Sequence, residues 1–190
     1  MFRTTRRTAA AVTAGAVAAL TLATAGAANA ATPTAAHPAV AQCTTADLSA
    51  DFQLQPNVGD RPETEGAALI MVTNHSKHTC TVRGFIGLGY VDAKGTQHSA
   101  VTHRTSYVPT TTITLRPGRT AFAGANFISQ PYGCATATKA LVTPPNQKSS
   151  IATPFLSAEG GGKKQNVTLC GDKFNITALA PSASEIGIFS

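Results

Sequence analysis

From Cys43 onward, apolar positions come in short runs separated by turn chemistry. Asp51-Phe52-Gln53-Leu54-Gln55 alternates apolar and polar with a period of two, and Ala67 to Thr73 is a continuous apolar run stopped by Asn74-His75-Ser76-Lys77. The first pattern predicts a half-buried strand and the second a strand covered on both faces. Further strands are predicted over 79–83, 85–91, 107–108, 111–115, 120–128, 139–143, 151–156 and 174–179. The turns between them include Asp92-Ala93-Lys94-Gly95 and Arg116-Pro117-Gly118-Arg119. No stretch of this region sustains a period of 3.6; the only helical candidate is one short turn at Cys134-Ala135-Thr136-Ala137. Many short strands rich in threonine and β-branched residues imply an all-β domain, an antiparallel two-layer β-sandwich of the immunoglobulin-like kind.

The first 30 residues have a different pattern. Arg3, Arg6 and Arg7 precede an apolar run from Thr8 to about Ala25, and Ala28-Asn29-Ala30 follows as a small-x-small site. Residues 1–30 therefore read as a signal peptide cleaved after Ala30, which predicts a secreted, extracellular protein. The run is too short to span a bilayer, for which roughly 20 apolar residues are needed. General export is favoured over the twin-arginine route, because Thr8-Ala9-Ala10 stands where bulky apolar residues belong. Residues 31–42, small and proline-containing, read as a flexible tether, and residues 43–190 as a single domain.

Removing the leader changes the electrostatic picture. Three of the 15 basic residues go and none of the nine acids, so the formal charge falls from +6 to +3. The remaining lysines are scattered, which argues against a nucleic-acid surface and leaves weak attraction to an anionic cell wall.

All four cysteines, Cys43, Cys80, Cys134 and Cys170, lie beyond the leader. In an oxidising compartment this predicts two disulfides, with three connectivities open. Cys43 with Cys80 and Cys134 with Cys170 is favoured. The rival joins Cys80 to Cys134 in the immunoglobulin manner, supported by Tyr132 two residues before Cys134 but weakened by the lack of any tryptophan. No C-x-x-C pair points to a metal or redox role.

The remaining chemistry is sparse. His75, His78, His98 and His103 could converge on a metal, but the first two sit in a polar turn that reads as solvated. Asp60, Glu63 and Glu65 share a loop without the ordered spacing of a calcium site. Asp51 with Asp92 is the one carboxylate pair worth naming for general acid and base work. No nucleophile elbow or phosphate-binding loop occurs, so no catalytic residue, metal or cofactor is implied. Asn74, Asn166 and Asn175 head glycosylation-like triplets. Gln130, Pro131 and Tyr132, beside Cys134, form a candidate binding loop of the kind a protease inhibitor presents.

Several of these pieces occur together in a recognisable order. Cys43-Thr44 with Asp47-Leu48, Asn74-x-Ser76, Cys80-Thr81-Val82-Arg83-Gly84, Leu115-x-Pro117-Gly118, Cys134, Pro144-Pro145 and Cys170 resemble a secreted domain of unknown function common in actinomycetes, number 4232. Phe85-Ile86 departs from the resemblance, where a proline is more usual. The resemblance covers roughly residues 43–179 and implies a small exported β-sandwich; it transfers no catalytic residue. The expected function is a non-catalytic module binding a cell-wall polymer or an extracellular protein, with a secreted protease inhibitor as the alternative and a hydrolase below it.

Overall fold

Alternation decides which side of each strand meets the core. In β1 (Leu48–Gln55), Leu48, Ala50 and Phe52 are buried while Ser49 and Asp51 face out. β2 (Glu65–Asn74) buries Ala68, Ile70 and Val72 on one face, and also Ala67 and Leu69 on the other. The computed structural model describes residues 39–56, 65–128, 134–157, 159 and 161–187. The leader 1–30, most of the tether, Asp60, Glu63 and the loop Gln130, Pro131 and Tyr132 lie outside the described residues.

The remaining strands follow in chain order. They are β3 (Cys80–Arg83), β4 (Gly87–Asp92), β5 (Gln97–Ser99), β6 (Val101–Arg104), β7 (Thr112–Leu115) and β8 (Thr120–Ile128). Then come β9 (Cys134–Thr143), β10 (Ile151–Ser157), β11 (Lys164–Gln165), β12 (Val167–Cys170) and β13 (Lys173–Ile176). Helical structure among the described residues is confined to two 3-10 turns, Thr45–Asp47 and Ala183–Glu185. None is long and apolar enough to cross a membrane.

Eleven strands make one sheet, in the order β5-β4-β9-β10-β1-β2-β8-β13-β6, with β11 added to β10 and β12 to β9. The ends of that order meet. β5 and β6 are separated only by Ala100, whose N–H donates to Leu88, while the next N–H, of Val101, donates to Asp172. One continuous stretch of chain thus belongs to both edges, and the sheet is nearly closed on itself, which leaves few unpaired strand edges.

The all-β class holds, but the sheet is mixed, and the wholly antiparallel sandwich needs correction. β1 runs parallel to β10, with Phe52 beside Phe155, and β13 runs parallel to β6. Parallel neighbours need a crossover, and the described residues between Phe52 and Phe155 carry eight further strands, so no local pattern announces the pairing. The Cys134–Ala137 segment, expected as a helical turn, is the start of β9. Tyr107 and Val108 lie in a bend, with Val108 buried against the C-terminal segment rather than paired. The last strand stops at Ile176.

Cys43 is joined to Cys80 and Cys134 to Cys170, and no cysteine among the four is free. The first bond ties the start of the domain to a small second sheet, β3 with β7. Ala41 and Gln42 also bind there, since Thr81 N–H donates to Ala41 and Cys43 N–H to Thr81. Beside them Asn74 is fully buried with every side-chain hydrogen bond made. Its amide nitrogen donates to the carbonyls of His78 and Leu115, at 2.8 and 2.9 Å, and its oxygen accepts from the Ser76 N–H and hydroxyl, at 2.9 and 2.7 Å. The second bond crosses directly between β9 and β12, whose Cys134 and Cys170 are opposite in register.

Apolar residues from the long sheet inside its two end strands, together with Val82, Ile113 and Leu115 of the small sheet, make one core, which includes the edge-to-face pair Phe52 and Phe155. Outside it, residues Ala178, Ala180 and Ile186 lie over Ala67 and Leu69 of β2 as a smaller cluster. That covering segment pairs with β8 at Phe122 and Ala180. The lower part of β8, from Asn126, is left open.

Candidate functional site

The sheet forks where β9 and β10 part. At β9 the extra residue is Thr138, because Val91 pairs with Lys139 and Asp92 with Ala137. Thr138 uses its hydroxyl on the carbonyls of Val91 and Asp92, at 3.2 and 3.4 Å, and a bulge of this kind bends its strand. On the opposite edge β9 exchanges partners: Lys139 still pairs with Pro154 of β10, but Ala137 pairs with Val167 of β12. Proline has no N–H to extend the ladder, so Pro154 suits the last paired position. Beyond it β10 turns to β1 and β11.

The fork encloses a hollow of about 440 Å³. Lys139 and Lys164 flank it, Gln165 and Asn166 line it with amides, and Ala152 and Pro154 complete the wall. No carboxylate among the described residues lines it. A second hollow, about 390 Å³, lies beside it between Gln55, Phe127 and Gln165 to Thr168. Gly66 also lines it, and a Cβ there would run into the Phe127 ring.

A third hollow, about 320 Å³, lies on the outer face of β8, β13 and β6. Asn126 is opposite Asn175, and Asn175 is opposite His103, so the three form a polar row across the strands. Two residues further along, Lys173 lies beside Val101, and both Val101 and Ile128 are 48% exposed. The Asn126 Oδ1 is buried and has no hydrogen-bond partner.

The residues singled out from sequence are distributed differently. His78 contacts Asp47 at 3.3 Å, His98 contacts Asp92 at 3.0 Å and stacks on Tyr90, and His103 is on β6. Among the described residues no group of three or more His, Cys, Asp or Glu is close enough to hold a metal ion. Asp51 faces solvent, and Asp92 is occupied as a turn cap, accepting from the N–H groups of Lys94 and Thr96 at 2.8 Å. The hydrogen bond from His98, then those backbone donors, hold the Asp92 carboxyl below its ordinary value. Asp47 is lowered likewise, first by the Thr44 hydroxyl and then by the Thr44 N–H. Both carboxylates are set for holding turns rather than for proton transfer.

Of the three glycosylation-like asparagines, Asn74 is locked in the core network and Asn166 lines the fork. Asn175 is exposed, but Thr177 of its triplet is buried, accepting from Gly124 N–H and donating to Ala178. Lys139, Lys164, Asn126 and Lys173 have no sequence motif. The nearest signal is Lys163-Lys164-Gln165-Asn166 after a glycine run.

Residues 43–180 match the family model described as Domain of unknown function (DUF4232). No curated protein matches the chain.

Proposed function

The chain belongs to the DUF4232 family, and from that premise we propose that it is a secreted, non-catalytic module that binds an anionic polymer of the cell wall. The fork hollow carries the reading: two lysines flank two amide residues with no lining carboxylate among the described residues, an arrangement that attracts negative charge and donates hydrogen bonds to it. The export part of the reading is supported by the leader-like residues 1–30 and by two disulfides that use all four cysteines.

The test uses the full chain expressed in an exporting host and recovered after processing. The protein should appear in the medium beginning at Ala31 and should be retained on purified wall material at low salt and released at high salt. Lys139→Ala with Lys164→Ala should weaken retention about tenfold, the equivalent of roughly 1.4 kcal/mol. Retention unaffected by salt and by both substitutions sinks the proposal.

A second reading, protease inhibition, is favoured by one feature: the segment 129–133 ends at Cys134, which the bond to Cys170 fixes. Slow, tight inhibition of one member of a serine-protease panel, lost in Tyr132→Ala, would establish it; inactivity across the panel dismisses it.

A further inference from the structure

The small sheet ends on an open edge. β3 has neighbours on both sides, β7 on one and residues 41–43 on the other, where Thr81 N–H donates to Ala41 and Cys43 N–H to Thr81. The main chain of Thr81 is thus turned away from β7. Its partner there is Thr114, so this is the kind of antiparallel pair whose N–H and C=O groups point away from each other. Thr114 therefore presents its N–H and C=O along the far edge of β7, where no strand pairs among the described residues. A hollow of about 350 Å³ lies against β7, lined by Ile113, Thr114 and Leu115 in succession. Successive side chains of a strand alternate between its faces, so contact with all three places the hollow beside the main chain. We propose that this edge takes up an extended acidic segment of a partner protein as an added strand.

Charge selects the occupant. Arg116 and Arg119 line the same hollow, and both are exposed with no ion pair among the described residues. Arg119 N–H donates to the Arg116 carbonyl at 2.9 Å across Pro117 and Gly118, the latter at φ 75°, a turn that keeps the two α-carbons within about 7 Å. Asn74 anchors that turn. Its backbone N–H donates to Arg119, its carbonyl accepts from Gly118 N–H and its side chain donates to Leu115. A third exposed arginine, Arg83, is opposite Thr112 on the same two strands. No acid among the described residues lines the hollow, and between Glu65 and Glu159 the sequence has only Asp92, which His98 engages. Main-chain groups on an open edge beside unpaired guanidiniums fit a strand that carries carboxylates. A second copy of this chain fits less well, since its β7 brings the same arginines and no acid. An acidic polysaccharide meets the charge but lacks the regular N–H and C=O groups that extend a ladder. The site shares no lining residue with the fork hollow, so it goes beyond the wall-binding reading.

Fluorescence anisotropy with the full chain and a short labelled peptide alternating glutamate and valine tests the edge and the charge separately. The peptide should bind at least about tenfold more tightly than its lysine counterpart. Methylating the backbone nitrogens of the valines, or instead of the glutamates, removes the donors along one side of the peptide strand or the other; one of the two peptides should bind about tenfold more weakly and the other should not. Thr114→Pro removes the outward N–H at an edge position, where a strand tolerates proline. It should weaken the parent peptide about tenfold and leave wall retention unchanged. Arg116→Ala with Arg119→Ala should remove the preference for glutamate over lysine. No binding of the peptide, or indifference to both methylated forms, overturns the added strand. Those measurements use the unaltered chain, so they decide the matter even where Thr114→Pro does not fold. Displacement of the peptide by an equal concentration of inorganic phosphate reduces the site to an anion spot and overturns the proposal. So does polygalacturonate that binds as tightly as the peptide, or self-association in sedimentation that Thr114→Pro abolishes. The wall-binding reading stands or falls on Lys139 and Lys164, which do not line this hollow.

Discussion

Each disulfide closes a loop of nearly the same length, 37 and 36 residues, yet the two regions they tie are built on different terms. Around Cys43 and Cys80 both sulfurs are buried and the neighbouring Asn74 spends all its hydrogen-bonding capacity inside the protein. Around Cys134 and Cys170 the sheet forks, and two hollows open there, lined by lysine, amide and threonine residues. The difference separates polar groups bonded inside the protein from polar groups that face solvent. The first kind fixes a structure, and the second can exchange water for a ligand.

The sharpest way to break this comparison is to remove the staples. By the loop-closure argument each bond is worth roughly 4 kcal/mol. Cys43→Ala with Cys80→Ala should cost more than Cys134→Ala with Cys170→Ala, because only the former pair is fully buried. Denaturant unfolding of the two double variants reads the order, and a reversed order defeats the distinction between the regions. Next comes Asn74→Ala, which leaves the His78 and Leu115 carbonyls without their donor. It should lose about 3 kcal/mol with wall binding unchanged when measured on the folded fraction. Gly66→Ala tests the other side. Its methyl displaces the Phe127 ring, for a loss of about 1–3 kcal/mol, and binding should fall with it because Gly66 and Phe127 both line the hollow beside the fork.

The smallest effect is on pH. Asp47 and Asp92, one in each region, have carboxyl pKa values below the ordinary one. A carboxylate with a lowered folded value lends stability that is complete above the unfolded value, about 3.9, and is lost as pH falls through the folded one. Melting temperatures followed from about pH 5 to about pH 2 should drop less steeply in Asp47→Asn and Asp92→Asn than in the parent. An acid limb of equal steepness in both variants removes these residues from the account.

Much of the strand pattern was legible because burial follows alternation. The strand predicted over 120–128 matches β8 at both ends, and those at 67–73 and 151–156 lie inside β2 and β10. Gln97 to Ser99 and Val101 to Arg104 were missed because β5 and β6 keep few side chains in the core, so neither shows an apolar period. β12 was hidden behind a glycine-rich loop, with only Val167 and Leu169 turned inward. Asn74-x-Ser76 read as a glycosylation triplet, but a polar residue at a strand end with serine two positions on is equally a turn signature, which is what it forms. The fork hollow was beyond reach of the sequence for a different reason. Lys139, Pro154 and Lys164 become neighbours only through the exchange of strand partners, and no local spacing encodes that.

The parallel contact between β1 and β10 also bears on the order of events in time. Phe52 waits for Phe155, so the first strand has its neighbour on that side only after about a hundred further residues have been made. Pairing over such separations slows folding, because the loop must be closed before the contact rewards it. On the export reading proposed above, a chain whose β1 completes its pairing late suits threading through an export channel, with the disulfides closing on the far side.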